Sequence, residues 1–133
     1  MLKSVLVSDH MTKDLVILSP DMDILQAVHR LIRNNIAGAP VVSADGELVG
    51  ILTELDCMRV AMQAEFYAEP GGPVSEYMTA DPESVPPGES ILNVAQAFID
   101  GRFHRYPVVD DGRLVGIISR RDVMRALGEH YPL

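Results

Sequence analysis

Gly50-Ile51-Leu52-Thr53-Glu54-Leu55-Asp56 and Gly116-Ile117-Ile118-Ser119-Arg120-Arg121-Asp122 are one heptapeptide pattern used twice. In each copy an apolar run reads as a buried strand, and a hydroxyl followed three residues later by a carboxylate reads as the start of a helix. That pair is close to a capping box, in which the hydroxyl serves the N3 amide and the acid reaches back to the N-cap amide. It also suits a nucleotide: an ionised carboxylate accepts from two neighbouring hydroxyls, and a hydroxyl beside the free N–H groups of a helix N-terminus suits phosphate. Capping and binding are compatible, and the heptapeptides alone leave both open.

The duplication extends outward from these stretches. Val7-Ser8 to Met11-Thr12 reappears as Val74-Ser75 to Met78-Thr79, an offset of 67, and Pro20, Ile24-Leu25 and Pro40-Val41-Val42 recur as Pro87, Ile91-Leu92 and Pro107-Val108-Val109 at the same distance. One residue is lost between Val109 and Gly112, so Gly46 answers Gly112 and Asp56 answers Asp122 at an offset of 66. Two copies of one supersecondary unit therefore fill almost the whole chain.

Within a copy the periodicity predicts β-α-β-β-α. Leu15 to Leu18 is a short apolar run closed by Ser19-Pro20, consistent with a strand. Asp23 stands at a helix N-cap, with Ile24, Ala27, Val28, Leu31 and Ile32 on one face behind it; Ser90 caps the second copy's helix, with Ile91, Val94, Ala95, Phe98 and Ile99 on the stripe and Gly101 at the stop. Asp45-Gly46 and Asp111-Gly112 each separate two apolar runs and predict hairpins, since both residue types tolerate positive φ. The final helices run from Glu54 to about Ala64 and from Arg120 to about Leu127. Pro82, Pro86 and Pro87 predict a short first strand in the second copy. The expected organisation is a unit at 1–67, a Pro- and Gly-rich linker at 68–73 and a unit at 74–133. The two sheets are expected to pack face to face with pseudo-two-fold symmetry, giving an α/β fold of α+β type with two grooves between the copies.

Composition narrows the function classes. At 133 residues and 47% hydrophobic the chain buries a real core. A net charge of −8 argues against nucleic-acid binding, which draws on clustered Lys and Arg, and 5% aromatics without Trp offer no base-stacking platform. No apolar run approaches the ~18 residues that span a bilayer and no leader pattern stands at the N-terminus, so no membrane insertion and a cytoplasmic location are expected. The single Cys57 and four scattered His supply no zinc-type spacing, and no metal is expected.

With the residues set out in this way, the chain resembles a tandem CBS-domain pair, the regulatory module named after cystathionine β-synthase. The resemblance rests on Met11-Thr12 and Met78-Thr79, on Ala39-Pro40-Val41-Val42 and Tyr106-Pro107-Val108-Val109, and on both heptapeptides in register. It implies a nucleotide sensor that binds AMP, ADP, ATP or S-adenosylmethionine between two units and requires no cofactor. It also implies that Asp56 and Asp122 accept from ribose hydroxyls while Thr53 and Ser119 contact phosphate. Thr12, Leu15 and Val16, with Thr79 and Glu83 in the second copy, match positions that enclose the base. His104 and Arg105 match basic positions that reach phosphate, whereas Ala37 and Gly38 stand there in the first copy; with Arg120 and Arg121 they make the second heptapeptide the better supplied for an anionic tail. A homodimer associating through helices and a regulated partner protein of unknown identity are further implications.

The remaining residues read plainly. Cys57 has no basic partner nearby and reads as a packed thiol, His29 as a boundary residue, and the recurrent methionines as core or interface. Asp9, Asp21, Asp23, Asp45, Glu47 and Glu54 are scattered singly and read as solvated surface. No nucleophile, base and orienting group fall together, so an enzyme is not expected. The alternative to a sensor is a ligand-free homodimeric scaffold.

Overall fold

Asp23 starts the first long helix as its position predicts. In the computed structural model, which describes residues 2–67, 71–101 and 103–133, its carboxylate accepts from the backbone N–H groups of Leu25 (3.1 Å) and Gln26 (3.4 Å). Ser90 does the same for Leu92 at 3.2 Å. The described helices are α1 (Val7–His10), α2 (Ile24–Arg33), α3 (Glu54–Tyr67), α4 (Ile91–Ile99) and α5 (Arg120–His130). The strands are β1 (Gly38–Val42), β2 (Leu48–Thr53), β3 (Thr79–Ala80), β4 (Arg105–Asp110) and β5 (Arg113–Ser119). The α+β content follows the predicted pattern, and Gly101 at φ 81° ends α4 in the left-handed conformation that a helix stop asks of glycine.

The hairpins β1–β2 and β4–β5 are antiparallel, with register shifts at the same place, between Val41 and Val42 and between Val108 and Val109. Their turns differ. Asp111 (φ 53°) and Gly112 (φ 81°) form the expected two-residue turn between Asp110 and Arg113. In the hairpin turn of the first copy Gly46 (φ 87°) is left-handed but Asp45 is not, and a wider loop closes with Ser43 N–H donating to the Glu47 carbonyl at 2.9 Å. The residue missing from the second copy is thus the difference between a wide loop and a tight one.

The expected first strands shrink to single bridges. Leu18 makes one parallel bridge to Val41 and Val85 one to Val108, because the proline at position 40 or 107 has no N–H to donate and Pro20, Pro86 and Pro87 stop extension. Leu15 to Leu18 is therefore not a regular strand. The third strand of the first sheet is β3, which pairs antiparallel with β2 through Gly50 and Ala80 and through Ile51 and Thr79. In the other unit Thr12 bridges Ile117 in the corresponding way.

The compact units consequently differ from the sequence copies: one is Val16–Pro82, the other Met1–Leu15 with Glu83–Leu133. The copies at 1–67 and 74–133 have exchanged their leading segments, and the end of the expected linker, of which 68–70 lie outside the described residues, runs with the start of the second copy against the first copy. Ile24 N–H donates to the Gly72 carbonyl, Val74 N–H to Met22 and Ser75 N–H to Pro20, at 2.8 to 3.0 Å. The same three bonds recur at the repeat offset as Ile91 to Val5, Val7 to Glu89 and Ser8 to Pro87, at 2.8 to 3.0 Å. Each unit has its own core. Leu18, Ile24, Ala27, Val41, Leu52, Val74 and Tyr77 are buried together in one, and Val5, Val7, Ile91, Val94, Tyr106, Val108 and Ile118 in the other.

The heptapeptide glycine has a packing reason. A Cβ on Gly50 would collide with the Met78 side chain and come within 3.0 Å of the Thr79 carbonyl; a Cβ on Gly116 would lie 2.9 Å from Met11 Cγ and 3.1 Å from the Thr12 carbonyl. The Met-Thr pair and the glycine therefore fit as one device, which seats each leading segment against a heptapeptide strand.

Candidate functional site

Each heptapeptide ends in a buried carboxylate. Where β2 passes into α3, Thr53 N–H donates to Asp56 Oδ2 at 2.9 Å and Asp56 N–H donates to Thr53 Oγ1 at 3.2 Å. Where β5 passes into α5, Ser119 and Asp122 repeat both bonds at 2.9 and 3.2 Å, and the Ser119 hydroxyl also donates to Asp122 Oδ2 at 3.0 Å. The capping boxes anticipated from the pattern are therefore formed. Asp56 and Asp122 are 2% exposed, each in the first turn of its helix.

Two further groups reach each carboxylate. The leading-segment threonine donates across the unit: Thr12 Oγ1 to Asp122 at 3.3 and 3.5 Å, Thr79 Oγ1 to Asp56 at 3.4 Å from both oxygens. The other group was not anticipated. Arg59 donates to Asp56 Oδ1 at 3.2 Å and Arg125 to Asp122 Oδ1 at 3.0 Å. Its signal stands in the sequence as Asp-x-x-Arg, present in both copies at the 66-residue offset and at the i,i+3 spacing that puts two side chains on one helix face.

The predicted residues divide unequally between the two carboxylates. Thr53, Asp56 and Thr79 come together in the Val16–Pro82 unit; Thr12, Ser119 and Asp122 come together in the other. Thr12 donates to Asp122 of the other sequence copy. Arg105 is the cross-strand partner of Ser119, the place Gly38 takes opposite Thr53, so the second heptapeptide has a guanidinium-bearing neighbour where the first has none. Arg120 lies at the start of α5, its guanidinium directed to the Phe103 carbonyl at 3.5 Å, and Arg121 and His104 are exposed. Leu15 and Val16 are half-buried at the change-over, one ending its unit and the other beginning the next. Glu83 is exposed where the chain re-enters the first of these.

A groove of about 460 Å³ lies between α2 and α3, lined by residues including Val28, Ile32, Ala37, Glu54, Cys57 and Met58. Cys57 packs against the core of its unit, and burial, with Asp56 and Glu54 beside it, pushes its thiol up from its ordinary value. Among the described residues no cluster of His, Cys, Asp and Glu could hold a metal ion, and no helix is long and apolar enough to cross a membrane.

The two-fold set of capped aspartate, threonine from the other sequence copy and strand glycine can now be placed among known proteins. The family model for the CBS domain matches residues 7–63 and again 74–129. The chain belongs to the CBS-domain family. An uncharacterized protein of Methanocaldococcus jannaschii is 31% identical over 125 residues, covering 94% of this chain and 44% of that protein; the chain thus spans less than half the length of this relative. Among solved structures, CBSX2 from Arabidopsis thaliana in complex with AMP aligns with a TM-score of 0.83 and 29% identity over 94% of this chain and 97% of that one. The CBS-domain pair of protein MJ0100 in complex with 5′-methylthioadenosine and S-adenosyl-L-methionine aligns with a TM-score of 0.77 and 30% identity, covering 95% and 98%. The CBS pair is therefore the whole of what these two structures share with this chain.

Proposed function

We propose that this CBS pair is a non-catalytic regulatory module that binds an adenosyl ligand, with Asp56 and Asp122 accepting from ribose hydroxyls, and passes its occupancy to a partner protein. The observation that carries the reading is the pair of buried carboxylates, each at a helix N-terminus beside a threonine, in a chain aligned along almost its full length with CBS pairs solved with AMP and with S-adenosylmethionine. Arg105 opposite Ser119, with Arg120 and Arg121 following, supports a phosphorylated ligand such as AMP, ADP or ATP at the Asp122 position. Thr53, facing Gly38, supports a ligand without that charge at Asp56.

Calorimetric titration with AMP, ADP, ATP, S-adenosylmethionine and NAD tests this. Binding is expected for at least one of them, weakened by about 1.5–3 kcal/mol for each charge-assisted hydrogen bond removed by Asp56→Ala or Asp122→Ala. Silence from every ligand at millimolar concentration overturns it.

A second reading, a homodimeric scaffold, is favoured by apolar surface that the repeat presents twice. Leu25, Ile32 and Met58 are exposed in one unit and their repeat equivalents Leu92, Ile99 and Met124 in the other, a density of apolar side chains that a lone surface helix does not need. Light scattering distinguishes it: a dimer converted to monomer by Met58→Glu with Met124→Glu supports association through these helices, and a monomeric wild-type chain counts against it.

A further inference from the structure

Asp122 has no acceptor position to spare. A carboxylate offers about four lone-pair sites. Oδ2 takes the Ser119 amide at 2.9 Å and the Ser119 hydroxyl at 3.0 Å; Oδ1 takes Arg125 at 3.0 Å and Thr12 at 3.3 Å. At Asp56 the Thr53 amide holds Oδ2, Arg59 holds Oδ1, and Thr79 spans both. A ribose diol has two hydroxyls to donate: at Asp122 both must displace something, and at Asp56 one finds an open acceptor while the other must displace a donor. The amide bonds belong to the helix caps and leave only if the helix start is lost. The threonine hydroxyls lie at the far edge of hydrogen-bond distance, and each can turn to accept from a hydroxyl as well as donate to one. An arginine can only donate.

We propose that Arg59 and Arg125 are tethered competitors for the ribose. Each occupies the Oδ1 position a diol requires, so ligand entry breaks an internal ion pair, and these arginines set the affinity of their sites for ribose hydroxyls. This rests on the adenosyl reading above and adds the residues that regulate it. The geometry suits displacement: the side chains of Arg59 and Arg125 are 69% and 51% exposed while the aspartates are buried, so the guanidinium swings into water without leaving a buried charge of its own. The two sites differ in degree, because the Ser119 hydroxyl fills an acceptor on Asp122 that the Thr53 hydroxyl leaves open on Asp56. Arg125 is therefore the stronger gate.

The test is calorimetric titration of adenosine and of 2′,3′-dideoxyadenosine into the wild-type chain, Arg59→Met, Arg125→Met and the donor-retaining Arg125→Lys, each checked for folding by thermal melting. Loss of a mostly exposed ion pair should tighten adenosine roughly two- to five-fold in the Met variants, more at Arg125 than at Arg59. Arg125→Lys should fall between wild type and Arg125→Met, and the dideoxy compound should gain nothing. Binding by the Met variants with a silent wild type supports the proposal in its strongest form. Wild-type binding with unchanged or weaker adenosine affinity in the Met variants, or an equal gain for the dideoxy compound, overturns the competition while leaving the adenosyl reading intact. Silence from wild type and variants alike overturns both.

Discussion

The Thr12 hydroxyl donates to Asp122, 110 positions along the chain, while Thr79, the residue that answers Thr12 in the repeat, donates to Asp56, only 23 positions back. Each heptapeptide aspartate is thus completed by the leading segment of the other sequence copy. The exchange makes each unit depend on both ends of the repeat, and it has consequences for stability that differ from those of two independent domains.

Deleting residues 2–15 should destabilise the unit built from 83–133 although the deletion lies in the other sequence copy. Val5 and Val7 are buried in its core, and burying a valine is worth about 1.5–3 kcal/mol. Hydrogen exchange at the Ile117 amide, which donates to the Thr12 carbonyl at 2.9 Å, should accelerate sharply. Unchanged protection there would show that the segment is dispensable.

Gly50→Ala and Gly116→Ala should each lower stability by about 1–3 kcal/mol, the usual consequence of forcing a methyl into an occupied site, since the added Cβ meets Met78 or Met11 and a threonine carbonyl. Gly128→Ala is the internal control. It lies in α5 with open space around the added methyl, and should raise stability by roughly 0.5–1 kcal/mol. Urea titrations of the three variants decide the matter; equal effects at all three positions would remove the close-approach explanation.

Asp122→Ala and Arg125→Met should separate in their effect on the fold. The aspartate holds the Ser119 amide and its removal takes away the acid half of the capping box of α5, at a loss of about 1–2 kcal/mol. The arginine is half in solvent and contributes under ~1 kcal/mol. Thermal melting in the absence of nucleotide reads both, and an equal loss for the two would mean that the ion pair matters more than the cap.

Cys57 should alkylate slowly. Burial raises its pKa, so iodoacetamide at pH 7.5 should react more slowly with the folded chain than with the urea-unfolded chain, and the folded rate should climb only above the ordinary thiol range of about 8.5. The folded state holds the thiol proton more tightly than the unfolded chain does. Its contribution to stability is therefore complete below the unfolded pKa and is lost as pH rises through the folded one. Equal alkylation profiles for folded and unfolded protein would remove the burial effect.

The sequence by itself determined whatever is local or doubled. Asp23 and Ser90 are caps because a side-chain oxygen reaches the amide two residues ahead, and from Asp23 also the third; Asp111-Gly112 is a tight turn because both residues accept positive φ; the heptapeptides end in capping boxes because the groups lie three residues apart. The repeat offset carried the family and the aspartates. The Arg59 and Arg125 pairs were equally legible at that offset, as a second acid-base spacing on the same helices, but an exposed arginine on a helix has many partners in principle and only the folded geometry selects one. What the tertiary structure alone decided is which threonine serves which aspartate. In a duplicated chain the leading segment meets the same glycine, strand and acid in either copy, so local chemistry is satisfied equally by pairing within a copy or across copies. The choice belongs to chain connectivity and to core burial, where Val7 and Val74 find their sites beside α4 and α2 of the opposite copies, and those are properties of the whole folded unit.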